Sequence, residues 1–97
     1  MDRSKRLQEW YYEQCDGEWE HLTRIRISTL DNPGWAVDIN LVGTKIEDRD
    51  FDAVNVERSD TDWLHVRIEG KAFRARCGPL NLDEVLGVFL DWCGRPP

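Results

Sequence analysis

Two short blocks in the first third of the chain decide how it folds: WYYEQCDGEWEH, residues 10–21, and TLDNPGW, residues 29–35. The first block carries an apolar helical stripe that stops at Asp16-Gly17, where glycine can take the left-handed conformation that ends a helix. The second block contains Pro33-Gly34, which predicts a type II turn, with proline fixing its own φ and glycine accepting a positive φ. Together the blocks predict a helix followed by two strands that a tight turn connects.

Amphipathic helices are predicted near both ends of the chain. Apolar residues at spacings of three and four predict a helix over residues 3–15 with one apolar face. A second helix is predicted over residues 82–93, with Asn81 as its N-cap and Glu84 as the capping-box partner. Because each helix has a single apolar stripe, both are expected to cover the same face of a sheet.

Alternating apolar and polar residues predict five strands, over residues 22–30, 35–42, 53–58, 63–69 and 72–77. Hairpin-length links, including a tight turn at Gly70-Lys71, make neighbouring strands antiparallel. The residues expected on the face away from the helices are Arg24, Arg26, Asp38, Asn40, Trp63, His65, Arg67, Arg74 and Arg76.

The predicted fold class is therefore α+β, in a single domain over residues 1–97. Its core is a five-stranded antiparallel meander sheet with an N-terminal and a C-terminal helix packed on one face. Residues 95–97 are predicted to be a frayed tail.

Composition restricts the function classes. The net charge of -6, from 19 acidic and 13 basic residues, argues against nucleic acid as a partner, since its binders usually present a basic stripe. The same charge fits a basic protein partner, or simply a well-solvated surface.

The N-terminal segment has no apolar signal-peptide core and no apolar run approaches the ~20 residues that span a bilayer, so we expect a cytoplasmic protein without membrane contact. The chain has three cysteines, Cys15, Cys77 and Cys93, and they form no CxxC pair. We therefore expect buried, reduced thiols and no zinc site.

The two opening blocks resemble the immunity protein 53 family of bacterial polymorphic toxin systems. The resemblance continues through the strand after the turn, through Asp62-Trp63 and through the block GPLNLDE, residues 78–84, and so covers residues 7–92. We interpret the opening blocks as the fold-defining motif of the family. Its residues are Trp10, Cys15, Asp16, Gly17, Trp19, Glu20, His21, Asp31, Asn32, Pro33, Gly34 and Trp35.

Members of this family are understood to bind a toxin encoded by a neighbouring gene and to block it, rather than to catalyse a reaction. The resemblance therefore implies an immunity protein with no enzymatic activity and no cofactor, whose partner is a cognate toxin. The basic pairs Arg24/Arg26 and Arg74/Arg76 depart from the family pattern and bear on the choice of partner.

Two places stand out as candidate contact surfaces. Alternation places Trp63 on the outer face, opposite Leu64, Val66 and Ile68, as expected of a binding anchor, although a loop or a neighbouring strand could equally cover it. The acidic loop, residues 47–52, could steer a basic toxin or could simply be a solvated loop. The predicted partner-binding residues are Glu47, Asp48, Asp50, Asp52, Asp60, Asp62, Trp63 and His65.

Two other function classes stay open at this point. Cys15, Asp16, Glu18 and His21 include the side chains that a small metal- or thiol-dependent enzyme uses, although no diagnostic spacing pairs them. The acidic loop resembles a calcium loop only in charge, because it lacks the central glycine and the closing glutamate. A generic protein-interaction module is the third class, and the oligomeric state is left open.

Overall fold

The computed structural model describes residues 2–94, so the predicted frayed tail at residues 95–97 lies outside the described residues. Helices and strands follow one another with short links, except between the second and third strands. In chain order the elements are α1 Arg3–Gln14, α2 Trp19–Leu22, β1 Ile25–Leu30, β2 Gly34–Asn40, β3 Val54–Ser59, β4 Asp62–Glu69, β5 Ala72–Cys77 and α3 Leu82–Trp92.

The five strands form one antiparallel sheet in the order β1-β2-β5-β4-β3. The predicted α+β class, with a five-stranded antiparallel sheet and a helix at each end of the chain, is confirmed. The predicted meander order is wrong, because β5 lies between β2 and β4. The cause is the link over residues 41–53, which is too long for a hairpin and carries the chain from β2 to the far edge of the sheet. The hairpin β1-β2 and the unit β3-β4-β5 then join along β2 and β5.

Strand register brings apolar side chains into rows on one face of the sheet. Val37 lies opposite Ala75, which in turn lies opposite Val66 on β4. In the next row Ile39 lies opposite Phe73, and all of these side chains are buried. The helices α1 and α3 pack over these rows, as predicted, since residues of both helices belong to the same core cluster.

The turn between β1 and β2 differs from the predicted Pro33-Gly34 type II turn. Its link is residues 31–33, it contains a cis peptide bond between Asn32 and Pro33, and Leu30 pairs with Gly34. The φ of Gly34 lies outside the left-handed region. Glycine is required there because a Cβ would lie closer than 3.0 Å to the carbonyl oxygen of Cys77 on β5.

Other local predictions meet mixed outcomes. Gly70 and Lys71 have φ of 59° and 58°, which gives the expected tight hairpin turn between β4 and β5. The strand predicted to begin at residue 22 begins at Ile25 instead, because residues 19–22 form the helical turn α2. Cys77 is fully buried, as expected, whereas Cys15 and Cys93 are only half-buried. Within residues 2–94, no helix is long and apolar enough to cross a membrane.

Candidate functional site: the open face of the sheet

The face of the sheet opposite α1 and α3 carries mostly polar and charged side chains, and we call it the open face. It coincides with the predicted outward set except at Arg24, which lines a depression beside α1. The residues of the open face that matter below are Arg26, Asp38, Asn55, Glu57, Trp63, His65, Arg67, Glu69, Arg74 and Arg76.

Arginines dominate the centre of the open face. The cross-strand register places Arg26 opposite Asp38, Asp38 opposite Arg74, and Arg74 opposite Arg67. The carboxylate of Asp38 accepts hydrogen bonds from Arg74 Nη1 at 3.3 Å and from Arg76 Nη1 at 3.0 Å. One aspartate thus lies between two guanidinium groups of the neighbouring strand, and the row around it keeps an excess of positive charge.

Two depressions follow one another along this face. The larger, of about 720 Å³, lies between the β1–β2 and β3–β4 turns, with Asn32 on one side and Asp60 on the other. The smaller, of about 280 Å³, has three arginines in its lining, Arg67, Arg74 and Arg76. Arg76 and His65 line both depressions, so the two lie side by side, and we call them together the trough.

Trp63 lies in the wall of the larger depression. The prediction that it points away from the buried Leu64 is confirmed, and its side chain is half-buried. Its ring centroid lies 5.2 Å from that of His65, and His65 Nε2 lies 3.0 Å from Glu57 Oε1. The Trp63 carbonyl also accepts a 2.9 Å hydrogen bond from the backbone N–H of Gly78, so the tryptophan is held at both backbone and ring.

A polar cluster fastens the β3–β4 turn to the start of α3. Asp62 Oδ1 accepts hydrogen bonds from Asn81 Nδ2 at 2.9 Å and from Arg58 Nε at 3.0 Å. These two hydrogen bonds hold the pKa of Asp62 below its ordinary value. Arg58 Nη2 also donates a hydrogen bond to Glu84 Oε1 at 2.6 Å.

The predicted capping box at the start of α3 is wrong. Asn81 occupies the N-cap position, but its side chain makes no capping hydrogen bond to the helix backbone. Instead its amide donates to Asp62 and Glu84, and its oxygen accepts from the backbone N–H of Trp63 at 3.3 Å. The competing partners on β4 are within reach because β5 leads directly into α3 at the end of the sheet where β4 begins.

The structure divides the predicted partner-binding residues between two ends of the sheet. Asp60, Trp63 and His65 line the larger depression, next to the Asp62 cluster. The acidic residues Glu47 and Asp48 lie 3.6 Å from Lys71 Nζ, in the turn at the other end of β4. At ~3.3 Å per residue, the ends of β4 are about 23 Å apart, so the two groups form separate surfaces.

The acidic loop is attached to α3 rather than free. The indole N–H of Trp92 donates to the Asp50 carbonyl at 2.8 Å, and Arg49 donates to the Trp92 carbonyl at 2.9 Å. The carboxylates of Asp48, Asp50 and Asp52 belong to exposed residues. Their binding role stays a prediction.

The residues of the opening blocks make packing and turn contacts. Trp10 and Trp19 are buried with their rings nearly perpendicular at 6.1 Å, and the indole N–H of Trp19 donates to the Val42 carbonyl at 2.9 Å. Trp35, on the core side of β2, donates its indole N–H to the Pro79 carbonyl at 3.1 Å. These contacts join α1, the link after β2 and the link before α3.

Two carboxylates of the first block bind backbone N–H groups. Asp16 accepts from the N–H groups of Trp19 and Glu18, and these bonds hold its pKa below the ordinary value. Glu20 accepts from its neighbours Asp16 and Gly17. The block is therefore a hydrogen-bonded turn, and within residues 2–94 no cluster of three metal-ligating side chains occurs.

The arginines of the trough were not among the predicted partner-binding residues. Alternation along β4 and β5 did place Arg67, Arg74 and Arg76 on the outer face. The signal that was missing is the strand order, since only the β2-β5 pairing brings Asp38 between Arg74 and Arg76.

The fold and this face define a small α+β domain, with a helix-covered core on one side of the sheet and a charged, tryptophan-containing trough on the other. Comparison with known families then identifies its kind. The family model of Immunity protein 53 matches residues 4–94, and the chain belongs to this family, as the resemblance of its opening blocks indicated. No curated protein and no solved structure gives a significant match to the chain.

Proposed function

We propose that this chain binds a cognate toxin and neutralises it by direct protein–protein contact through the trough of the open face. Membership of the immunity protein 53 family over residues 4–94 is the observation that carries the proposal. The toxin is the product of a gene that neighbours the gene of this chain. The free thiols of Cys15 and Cys77 favour the cytoplasm as the place of neutralisation, since reduced thiols persist there.

The trough supports a binding role because it combines an aromatic side chain with charges on a rigid sheet. Tryptophan and arginine are the residues most enriched among those that dominate interface energetics. Trp63 and Arg76 both line the larger depression, and their backbones belong to adjacent parts of β4 and β5. Because the backbone of these strands is already ordered, only side-chain freedom is lost on binding, which lowers the entropic cost of the complex.

The acidic loop has a separate part in the proposal. Its exposed carboxylates at Asp48 and Asp50 lie at the other end of the sheet from Trp63 and would attract a basic toxin from a distance. Reversing both charges, by Asp48→Lys and Asp50→Lys, is expected to lower the association rate at low salt and to leave the dissociation rate nearly unchanged. An unchanged association rate at low salt would remove the steering role.

The test is co-expression of this chain with the neighbouring toxin, followed by a binding measurement on the purified pair. Growth should be rescued, and the dissociation constant should be about nanomolar or lower, as neutralisation of a lethal protein requires. A toxin that still kills when this chain is fully expressed and folded would refute the proposed function.

A substitution in the trough then tests the surface. Trp63→Ala should weaken toxin binding by ~30-fold or more, the effect of losing an interface anchor of about 2 kcal/mol. The matched control is Tyr12→Ala, since Tyr12 is a strongly exposed aromatic residue of α1, far from the trough. Thermal unfolding of both variants excludes misfolding as the cause. Equal affinities for the two variants would move the contact surface away from Trp63.

A further inference from the structure

We propose that the smaller depression of the open face binds an acidic, extended segment of the partner, with carboxylates seated between the guanidinium groups of Arg67, Arg74 and Arg76. The inference rests on the proposed function, because it specifies the chemistry of the toxin segment that this face takes. The net charge favours a basic partner surface. At this depression, in contrast, the bound segment of the partner would be acidic.

Charge on this protein is distributed unevenly. The whole chain carries a net charge of -6, yet its smaller depression is lined by three arginines, one histidine, Asn55 and apolar residues, and none of the carboxylates within residues 2–94 belongs to this lining. The carboxylates nearest these arginines are Asp38 and Glu69, which approach them from β2 and from the end of β4. An anionic group would therefore find locally positive surroundings on an otherwise acidic protein.

The arginines are incompletely compensated by the chain's own acids. Arg67 and Arg74 lie directly opposite each other on β4 and β5, and like charges in that position destabilise a sheet. The Nε atom of Arg74 is buried and has no hydrogen-bond acceptor among the described residues, since Glu69 Oε1 lies 3.6 Å away. A carboxylate bound between the two guanidinium groups would relieve the repulsion between them.

Strand spacing indicates the shape of the bound segment. Arg74 and Arg76 are two residues apart on β5, which separates them by about 6.6 Å along the strand. An extended peptide that carries acidic residues at positions i and i+2 has the same spacing on one of its sides. Guanidinium groups bind carboxylates through two parallel hydrogen bonds, so this match would define both position and orientation.

A protein segment fits this surface better than nucleic acid. The positive region covers one short stretch of β4 and β5, and Glu57 and Asp60 lie beside the adjoining larger depression. A phosphate backbone would continue from the arginines onto these acidic residues, whereas a segment with two or three carboxylates would end within the positive region.

A direct test needs no toxin. The isotopically labelled full chain is titrated with hexaglutamate, with hexalysine and hexathymidylate as comparison ligands, and NMR follows the side-chain Nε–H signals of the arginines. Hexaglutamate should produce saturable shifts at Arg67, Arg74 and Arg76 that exceed those at Arg24, an arginine outside the trough. No saturable shift at the three arginines, or tighter binding of hexathymidylate to them, would overturn the proposal.

A second test measures how tightly variants of this chain bind the toxin. Arg67→Gln with Arg76→Gln should weaken toxin binding at least tenfold and reduce its dependence on salt, whereas the charge-matched control Arg3→Gln with Arg24→Gln should stay within twofold. Arg67→Gln alone, at a side chain 66% exposed, protects the test against misfolding and should weaken binding at least threefold. Binding of the wild type with no loss in these variants refutes the acidic-segment proposal alone. A wild type that binds no toxin refutes the proposed function, and the peptide titration still decides the binding chemistry.

Discussion

Replacing Gly34 by alanine tests a close backbone approach between β2 and β5. A Cβ at this position would lie closer than 3.0 Å to the Cys77 carbonyl oxygen and 3.3 Å from its carbon. The Cys77 carbonyl group cannot rotate away as a flexible side chain would, because it belongs to the backbone. Trp35, the residue after Gly34, is paired with Cys77, and this pairing keeps the two strands together. The φ of Gly34 is one that alanine can adopt, so the contact alone makes the substitution unfavourable.

The expected cost follows from what must move. The start of β2 would have to shift away from β5, which combines an overpacking cost of about 1–3 kcal/mol with the weakening of a backbone hydrogen bond worth ~1 kcal/mol. We expect Gly34→Ala to lower the free energy of unfolding by about 3 kcal/mol. For a domain whose whole stability is about 5–10 kcal/mol, this is a large fraction.

Urea unfolding monitored by tryptophan fluorescence and circular dichroism measures the effect. With an m-value of about 1.5 kcal/mol/M, the midpoint should fall by ~2 M. The control is Gly70→Ala, where φ is +59° and no atom lies within 4 Å of the added Cβ. Its cost should be only that of a left-handed alanine, about 1 kcal/mol, and Gly70→Asn should recover much of it. If Gly34→Ala costs no more than Gly70→Ala, the close approach to Cys77 is not the reason for glycine.

Two further predictions concern the polar contacts that join the elements. Trp19→Phe keeps an aromatic ring in the core but removes the hydrogen bond to the Val42 carbonyl. The free energy of unfolding should therefore fall by about 1–3 kcal/mol in the same urea assay. Equal stability of the variant and the wild type would show that water replaces the hydrogen bond. Because Asn81 and Arg58 hold the pKa of Asp62 below its unfolded value, the carboxylate stabilises the fold above the unfolded pKa of ~3.9, and this contribution is lost as pH falls through the folded pKa. Asp62→Ala should therefore be less stable than the wild type at pH 7, with a gap that narrows below pH ~4, and a gap independent of pH would contradict this origin.

The elements were predictable where one periodicity dominates the sequence. The fifth predicted strand has the observed bounds, Ala72–Cys77, because its apolar and polar residues alternate and a tight turn precedes it. The sequence predicts that residues 19–22 lead into a strand, but Asp16 accepts hydrogen bonds from the backbone N–H groups of Glu18 and Trp19 at the start of a short helical turn there. These hydrogen bonds join residues that are close in the sequence. The burial of Trp19, in contrast, depends on the link after β2, which is distant in the sequence.

Strand order and the roles of individual polar residues could not be predicted in the same way. A long link such as residues 41–53 permits either a meander or a return to another edge, and the choice depends on which apolar rows match across β2 and β5. Asn81 illustrates the same limit for side chains. Its sequence context is that of a helix N-cap, but Asp62 and the Trp63 backbone, close only in the folded chain, compete for its amide.

The two faces of the sheet separate what specifies the fold from what would contact a partner. Residues of the opening blocks, such as Trp10, Trp19 and Gly34, act through the core face or through contacts between backbones, where small changes in volume are costly. Arg67 on the open face pairs with Glu69, another exposed charge, and exchanging such a surface residue usually changes stability by less than ~0.5 kcal/mol. If the open face is the contact surface, as proposed, the chain could change its partner there without disturbing the core residues that hold the fold together.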